Sequence, residues 1–155
     1  MTTEEEIKFD RNLLGVEHPF GPFVITKEMI LDFSRSTDEV NPLYIDEEEA
    51  KASEHGSLIA PPTFCNIFIT NANRPDIKLE FGDTGLLTSQ TIENLAPIRP
   101  GDTLDATIKL KEVYAKKGRS GKMVFAFWET RFANQEGKTV VRIRESFAQK
   151  KSQKQ

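Results

Sequence analysis

The chain has 155 residues, of which 37% are hydrophobic and 29% charged; that suits one domain with a single core and leaves little room for two. A formal net charge of -3 gives no electrostatic support for nucleic-acid binding. The single cysteine, Cys65, excludes an intrachain disulfide and suits a reducing compartment, and no apolar run approaches the length of a membrane span.

The acidic, polar start "MTTEEEIKFD" is the opposite of a signal peptide, so a cytoplasmic protein without membrane or nucleic-acid partners is expected. No internal repeat or linker divides the chain, which reads as one domain over 1–148 with a frayed polar tail, "QKKSQKQ", over 149–155. In chain order, "PFVI" is a short apolar strand, and His18 before it falls in an irregular region. Thr26 then caps a helix, "KEMILDFSR", with Met29, Ile30 and Phe33 on one face. "DEEEAKASEHG" is a second helix: Asp46 caps it, three glutamates complement its dipole, and Glu47 and Lys51 stand correctly for an i,i+4 pair. Gly56 suits the left-handed residue after its last turn.

"LIAPPTFCNIFITNANRP" predicts a helix opened by two prolines and followed by Pro75. Phe64, Cys65, Ile67, Phe68, Ile69 and Ala72 cover most of its circumference, so it must be buried on several sides. Thr63, Asn66, Thr70 and Asn73 form a polar stripe. Solvent or a loop is the plainer environment for such a stripe, and a wet cavity or a partner chain the alternative. Cys65, with no paired base in sequence, reads as a buried structural thiol.

Four strands follow, "GLLTSQTIENLAPI", "DTLDATIKLKEVYAKK", "KMVFAFWETRFANQEG" and "KTVVRIRESFAQK", divided by the turns "RPGD", "KKGRSGK" and "NQEGK". In the last strand Thr139, Val141, Ile143 and Phe147 alternate with Val140, Arg142, Arg144 and Ser146. The run Val124 to Trp128 is apolar throughout, which predicts a central strand buried on both faces. A helix apolar nearly all round, followed by an antiparallel meander, implies a sheet wrapped around that helix.

The ordered motifs "FSRSTDEVNPLY", "IDEEEA", "GSLIAPPTF" and "IRPGDTL" resemble the hot-dog fold, specifically the N-terminal MaoC-like dehydratase group. This group includes (R)-specific enoyl-CoA hydratases and small subunits of 3-hydroxyacyl-ACP dehydratases. The resemblance covers most of residues 15 to 148. It implies an α+β single hot-dog fold, with an antiparallel sheet wrapped around a central helix starting near Pro61. In active members the loop reads Asp, any residue, Asn, Pro, an aliphatic residue, His. The Asp and His share a water across the substrate double bond, because hydration needs a base for the water and an acid for the alpha carbon. Backbone N–H groups near the start of the central helix hold the enolate oxygen.

Registered on Asn41-Pro42, this chain has Glu39 at the Asp position and Tyr44 at the His position. A free phenol titrates near ~10 and a free imidazole near ~6.5, a gap worth about 5 kcal/mol, and no lysine or arginine lies in the loop to close it. A neutral tyrosine can still donate a hydrogen bond. Asp38 is a fallback base if the loop shifts by one residue. His55 reads as a helix C-terminal capping residue rather than a catalytic acid. The resemblance places substrate contacts at Asn41, Gly56, Ser57, Pro61, Thr63, Asn66 and Asn94, with Arg99 close to the same tunnel. Lys116, Lys117, Arg119 and Lys122 read as a solvated hairpin, with CoA phosphates as the alternative partner.

No zinc spacing, phosphate loop or nucleophile elbow is present, so no metal and no cofactor beyond the substrate thioester is expected. The implied function is a subunit of an enoyl-thioester hydratase or 3-hydroxyacyl dehydratase in fatty-acid metabolism. It shapes an acyl tunnel while a second hot-dog chain supplies Asp and His. The alternatives are a self-sufficient homodimeric hydratase or thioesterase using Glu39 or Asp38, and a non-catalytic acyl-CoA-binding module. Expected partners are an acyl thioester of CoA or acyl carrier protein and a second hot-dog subunit, in a homo- or heterodimer or higher oligomer.

Overall fold

The computed structural model describes residues 7–70, 72, 74–119 and 121–152. The elements are β1 (Glu17–Val24), α1 (Lys27–Ser36), α2 (Pro42–Ile45), α3 (Glu47–Lys51), α4 (Asn66–Ile69), β2 (Thr84–Asn94), β3 (Thr103–Gly118), β4 (Gly121–Ala133) and β5 (Thr139–Lys150). The strands form one antiparallel sheet in the order β1-β3-β4-β5-β2, curved around the segment that carries α4. This is the expected hot-dog arrangement. Among the described residues, no helix is long and apolar enough to cross a membrane.

β4 is the middle strand, as the sequence predicts, but only one of its faces is fully buried. Val124, Ala126, Trp128, Thr130 and Phe132 face inward, while Phe125 and Phe127 are half-buried on the outer face. Phe125 stacks there on Tyr114, with ring centroids 5.2 Å apart. Aromatic stacking at a solvated surface, rather than a second buried face, accounts for the continuous apolar run.

The first helix forms where the sequence predicts it, but the other two are shorter than predicted. Turns of i,i+3 type run from Pro61 to Cys65, and α-helical geometry holds only over Asn66–Ile69. Two adjacent prolines open the segment without N–H groups, and tight turns then carry it into the core. α3 stops at Lys51; Gly56, at φ 68°, closes a later turn onto Ser53 instead of ending the helix. His55 is therefore not in a helical C-terminal turn. His18 lies in a regular strand opposite Ile108, not in an irregular region, because β1 begins at Glu17. Gln149 and Lys150, expected in the tail, are paired in β5, and Ser152 donates to Asp83 beyond them. Asn73 and the last three residues lie outside the described residues.

Because α4 is so short, it covers only part of the inner sheet face. One buried cluster gathers Phe64, Cys65, Phe68 and Ile69 with Ile30, Leu104, Phe132 and Ile143. A second gathers Ile108, Leu110, Val113, Val124, Ala126 and Trp128 under Ile77, Leu79 and Phe81 of the strap that leads to β2. Phe64 is fully buried, so Phe64→Ala is expected to lower unfolding free energy by about 3–5 kcal/mol, read from the denaturant midpoint at unchanged slope. Burial pushes the Cys65 thiol up to about 12. The unfolded chain then loses this proton at a lower pH than the folded one. Stability is expected to fall as pH rises from the ordinary thiol range toward 12, and Cys65→Ala should remove that part of the loss in alkaline unfolding curves.

Candidate functional site

The loop that follows α1 is built by local hydrogen bonds. Thr26 caps α1 through the Met29 N–H at 3.2 Å, as its sequence position predicts. At the other end, the Glu39 N–H donates to Ser34 O at 2.8 Å and Asp38 takes a left-handed φ of 54°. The turn of direction is therefore made at Asp38, a residue type that tolerates this conformation. Asn41 Oδ1 accepts the Leu43 N–H at 3.0 Å and starts α2; Asp46 Oδ1 accepts the Glu49 N–H at 3.1 Å and starts α3. The predicted Glu47–Lys51 pair forms at 3.8 Å.

Two contacts fix this loop in the fold. The buried Ser34 hydroxyl donates to Tyr44 O at 3.3 Å, and the Ile59 N–H donates to Leu43 O at 3.1 Å. The second bond brings the α2 turn against the segment that enters the core at Pro61. The Ala60 N–H continues the chain of contacts to Ile98 O at 2.9 Å. Glu39, Tyr44, Asn41, Ser57 and the buried Pro61 therefore belong to one connected region. Asp38, Gly56 and Thr63 are exposed at its rim, and Asn94 is exposed at the end of β2.

A Glu39 carboxylate oxygen accepts the N–H of its own neighbour Val40 at 3.3 Å. The N–H groups of Phe64, Asn66, Ile67 and Phe68 are occupied by carbonyls of the same turn, at 3.0 to 3.2 Å. Arg99 is engaged as well: its Nε and Nη2 donate to His55 O, each at 3.4 Å, and its N–H donates to Asp102. His55 itself faces Glu54, with Nε2 3.8 Å from the carboxylate.

Asn66 belongs to a different polar group, which the sequence reading missed. Gln90 Nε2 of β2 donates to Asn66 Oδ1 at 2.9 Å and to Glu145 Oε2 at 3.2 Å. Glu145 is buried on the inner face of β5, and its other oxygen pairs with Arg74. The Arg74 guanidinium lies 4.7 Å from the Phe147 ring centroid, and its Nε is buried without a partner. A signal for this group was present. Position 145 is in phase with Val141, Ile143 and Phe147, so the alternation itself places a carboxylate on the apolar face. The stripe of Thr63, Asn66 and Thr70 is thus mixed: Thr63 and Thr70 face solvent, while Asn66 is bonded inward.

Replacing Asn41 or Asp46 by Ala removes a helix cap and is expected to cost about 1 kcal/mol each in unfolding free energy, measured by chemical denaturation.

Comparison with known proteins follows the same lines. The family described as FAS1-like, dehydratase domain region matches residues 12–143. A UPF0336 protein of Streptomyces coelicolor is 30% identical over 116 residues, 70% of this chain and 76% of that one. The MaoC-like dehydratase of Rhodospirillum rubrum superposes with a TM-score of 0.71 at 19% identity, over 95% of this chain and 99% of that one. One chain of the HadBC (3R-hydroxyacyl-ACP dehydratase) complex of Mycobacterium tuberculosis superposes with a TM-score of 0.70 at 18% identity, over 90% of this chain and 98% of that chain. At such identities the superpositions establish the hot-dog fold, and the family match carries the relationship. The chain belongs to the family described as FAS1-like, dehydratase domain region, and has the hot-dog fold.

Proposed function

We propose that this chain is a subunit of an enoyl-thioester hydratase, or of a 3-hydroxyacyl dehydratase running the reverse reaction, and that a partner hot-dog chain supplies the catalytic Asp and His. One observation carries the reading. The loop keeps its caps at Asn41 and Asp46 and its bond to the Pro61 segment, yet its two proton-transferring positions hold Glu39 and Tyr44. Hydration requires one group that removes a proton from water and another that delivers one to carbon. A carboxylate can take the proton from water, but an ordinary phenol is a much weaker proton donor to carbon than an imidazolium.

The long edge of the sheet supports the partner. Among the described residues β2 pairs only with β5, and Leu86 and Leu87 in it and Leu95 just past its end are 40%, 49% and 45% exposed. An open strand edge with exposed leucines is a surface that a second sheet can extend. The likeness to HadBC, itself a complex, supports the same arrangement. The substrate is an acyl thioester of CoA or of an acyl carrier protein. Asn41, Ser57, Pro61 and Asn94 line the part of the tunnel contributed by this chain, and the reaction needs no further cofactor.

Hydration of crotonyl-CoA, followed by loss of enoyl absorbance, tests the reading. The protein alone is expected to stay at background, and Glu39→Gln to change nothing. Addition of a hot-dog chain carrying an intact Asp-x-Asn-Pro-x-His loop should raise the rate by several orders of magnitude. Robust turnover by the isolated protein that disappears in Glu39→Gln would overturn the partner requirement. Acyl-CoA binding without turnover in any combination would instead indicate a binding module.

A further inference from the structure

We propose that the cavity beneath the strap of residues 74–82 is a binding site for a single-chain amphiphile: an alkyl tail with a small anionic head. It is separate from the Glu39–Tyr44 loop, and the inference does not rest on the hydratase reading. The tail pocket has a volume of about 320 Å³, with Ile77, Leu79, Phe81, Trp128 and Phe147 as walls and Ala126 on the sheet beneath. That volume lies at the lower end of the ~300–1,000 Å³ usual for small-molecule sites. The pocket exists because α4 stops at Ile69, so an irregular strap rather than a helix covers this half of the inner face.

The two ends of the pocket differ in charge. At the inner end, Arg74 is already matched by Glu145 and lies over Phe147, and the Asp76 carboxylate also lines the pocket, so no net positive charge is offered there. At the outer end, Phe81 is also a wall of a second opening of about 390 Å³, shared with Gly121, Lys122 and Lys151. Lys122 Nζ lies 5.2 Å and Lys151 Nζ 5.6 Å from the Phe81 ring centroid. Among the described residues neither ammonium forms an ion pair with a carboxylate. Two cations held at one ring repel each other, and an anion between them reverses the sign of that interaction. The strap is pinned where it matters: a Cβ at Gly82 would lie 2.7 Å from Lys150 O, so only glycine lets the backbone press on the end of β5 and hold Phe81 beside Lys151. A tail in the first cavity therefore has its head group at Lys122 and Lys151.

Trp128 is the only tryptophan of the chain, so its emission reports the tail pocket directly. The purified protein is titrated, below micelle-forming concentrations, with decanoate, decyl phosphate, decanol and decyltrimethylammonium. A saturable change in emission is expected with the two anions, with affinity about tenfold above that for decanol, and weaker still for the cation. The preference for anions should shrink at high salt. Lys122→Gln combined with Lys151→Gln, both changed at the surface, should bring decanoate to the level of decanol. Ala126→Phe fills the pocket and should abolish the response to all four, with its fold checked by circular dichroism. Equal affinity for decanoate and decanol, or a preference that survives the double lysine substitution, overturns the head-group site. No saturable response to any amphiphile overturns the pocket as a whole. Comparison of decanoate with decyl phosphate tells whether the head is a carboxylate or a phosphate. None of these readouts needs a partner chain or turnover, so their failure is distinct from failure of the hydration assay.

Discussion

Phe68 is the contact around which the rest of the molecule is arranged. It stacks on Phe23 of β1 with centroids 4.2 Å apart, meets Phe64 edge-on at 5.6 Å and tilts against Phe132 of β4 at 6.2 Å. Two strands distant in sequence, β1 and β4, are thereby fixed to one side chain on a four-residue helix. Phe64 passes the constraint outward, since it meets Phe33 of α1 edge-on at 5.6 Å. The position of α1 sets where the loop at Asp38 begins, and the Leu43–Ile59 bond sets where it ends. The geometry of the candidate site thus follows from the packing of aromatic rings some way beneath it.

The same short helix explains the second half of the core. A longer helix would have continued its apolar face across β4 and β5. Instead the helix ends at Ile69, Ala72 still packs against both clusters, and a strap without regular structure returns over the sheet. Backbone bonds from the Asp10 N–H to Ile77 O and from the Glu80 N–H to Lys8 O hold the middle of the strap, and the Arg74–Glu145 pair fastens its first residue to β5. Burying Glu145 carries a large desolvation penalty, offset here by Arg74 on one oxygen and Gln90 on the other. Removing either charge would leave its partner stranded at low dielectric, which is worse than never having buried the pair. The pair therefore serves position more than stability: it joins α4, β2, β5 and the strap through one carboxylate.

Legibility in the sequence follows the range of the interactions. Caps act over two or three residues, and Thr26 and Asp46 act where a reading of local patterns puts them, whereas the cap at Asn41 starts a four-residue helix that the pattern did not mark. The strands were marked by alternation and by turns such as "RPGD", where Asp102 accepts the Arg99 N–H at 2.9 Å. Helix length was not legible. The apolar run from Phe64 to Ile69 fits a helix of any length, and the tight turns after Pro61 come from how the segment enters the sheet. His18 looked irregular because its strand is read through its partner β3, not through its own composition. The Arg74–Glu145 pair spans 71 positions and has no local pattern; only the carboxylate at an apolar phase of β5 pointed to it.

Loop shape and proton chemistry are separable in this fold, and that separation decides how the Glu39–Tyr44 loop is best understood. Its shape depends on bonds inside one chain: the Asn41 and Asp46 caps, the Ser34 hydroxyl and the link to Ile59. Each is satisfied here without help. Its surroundings are not complete in the same sense. Thr63 and Asn94 at the rim face outward, and the β2 edge beside them has leucines and no strand partner. A surface of that kind supports the proposed second chain. A loop that is structurally complete but chemically altered, set beside an edge that is structurally open, fits a subunit that shapes a site more closely than one that runs the reaction alone.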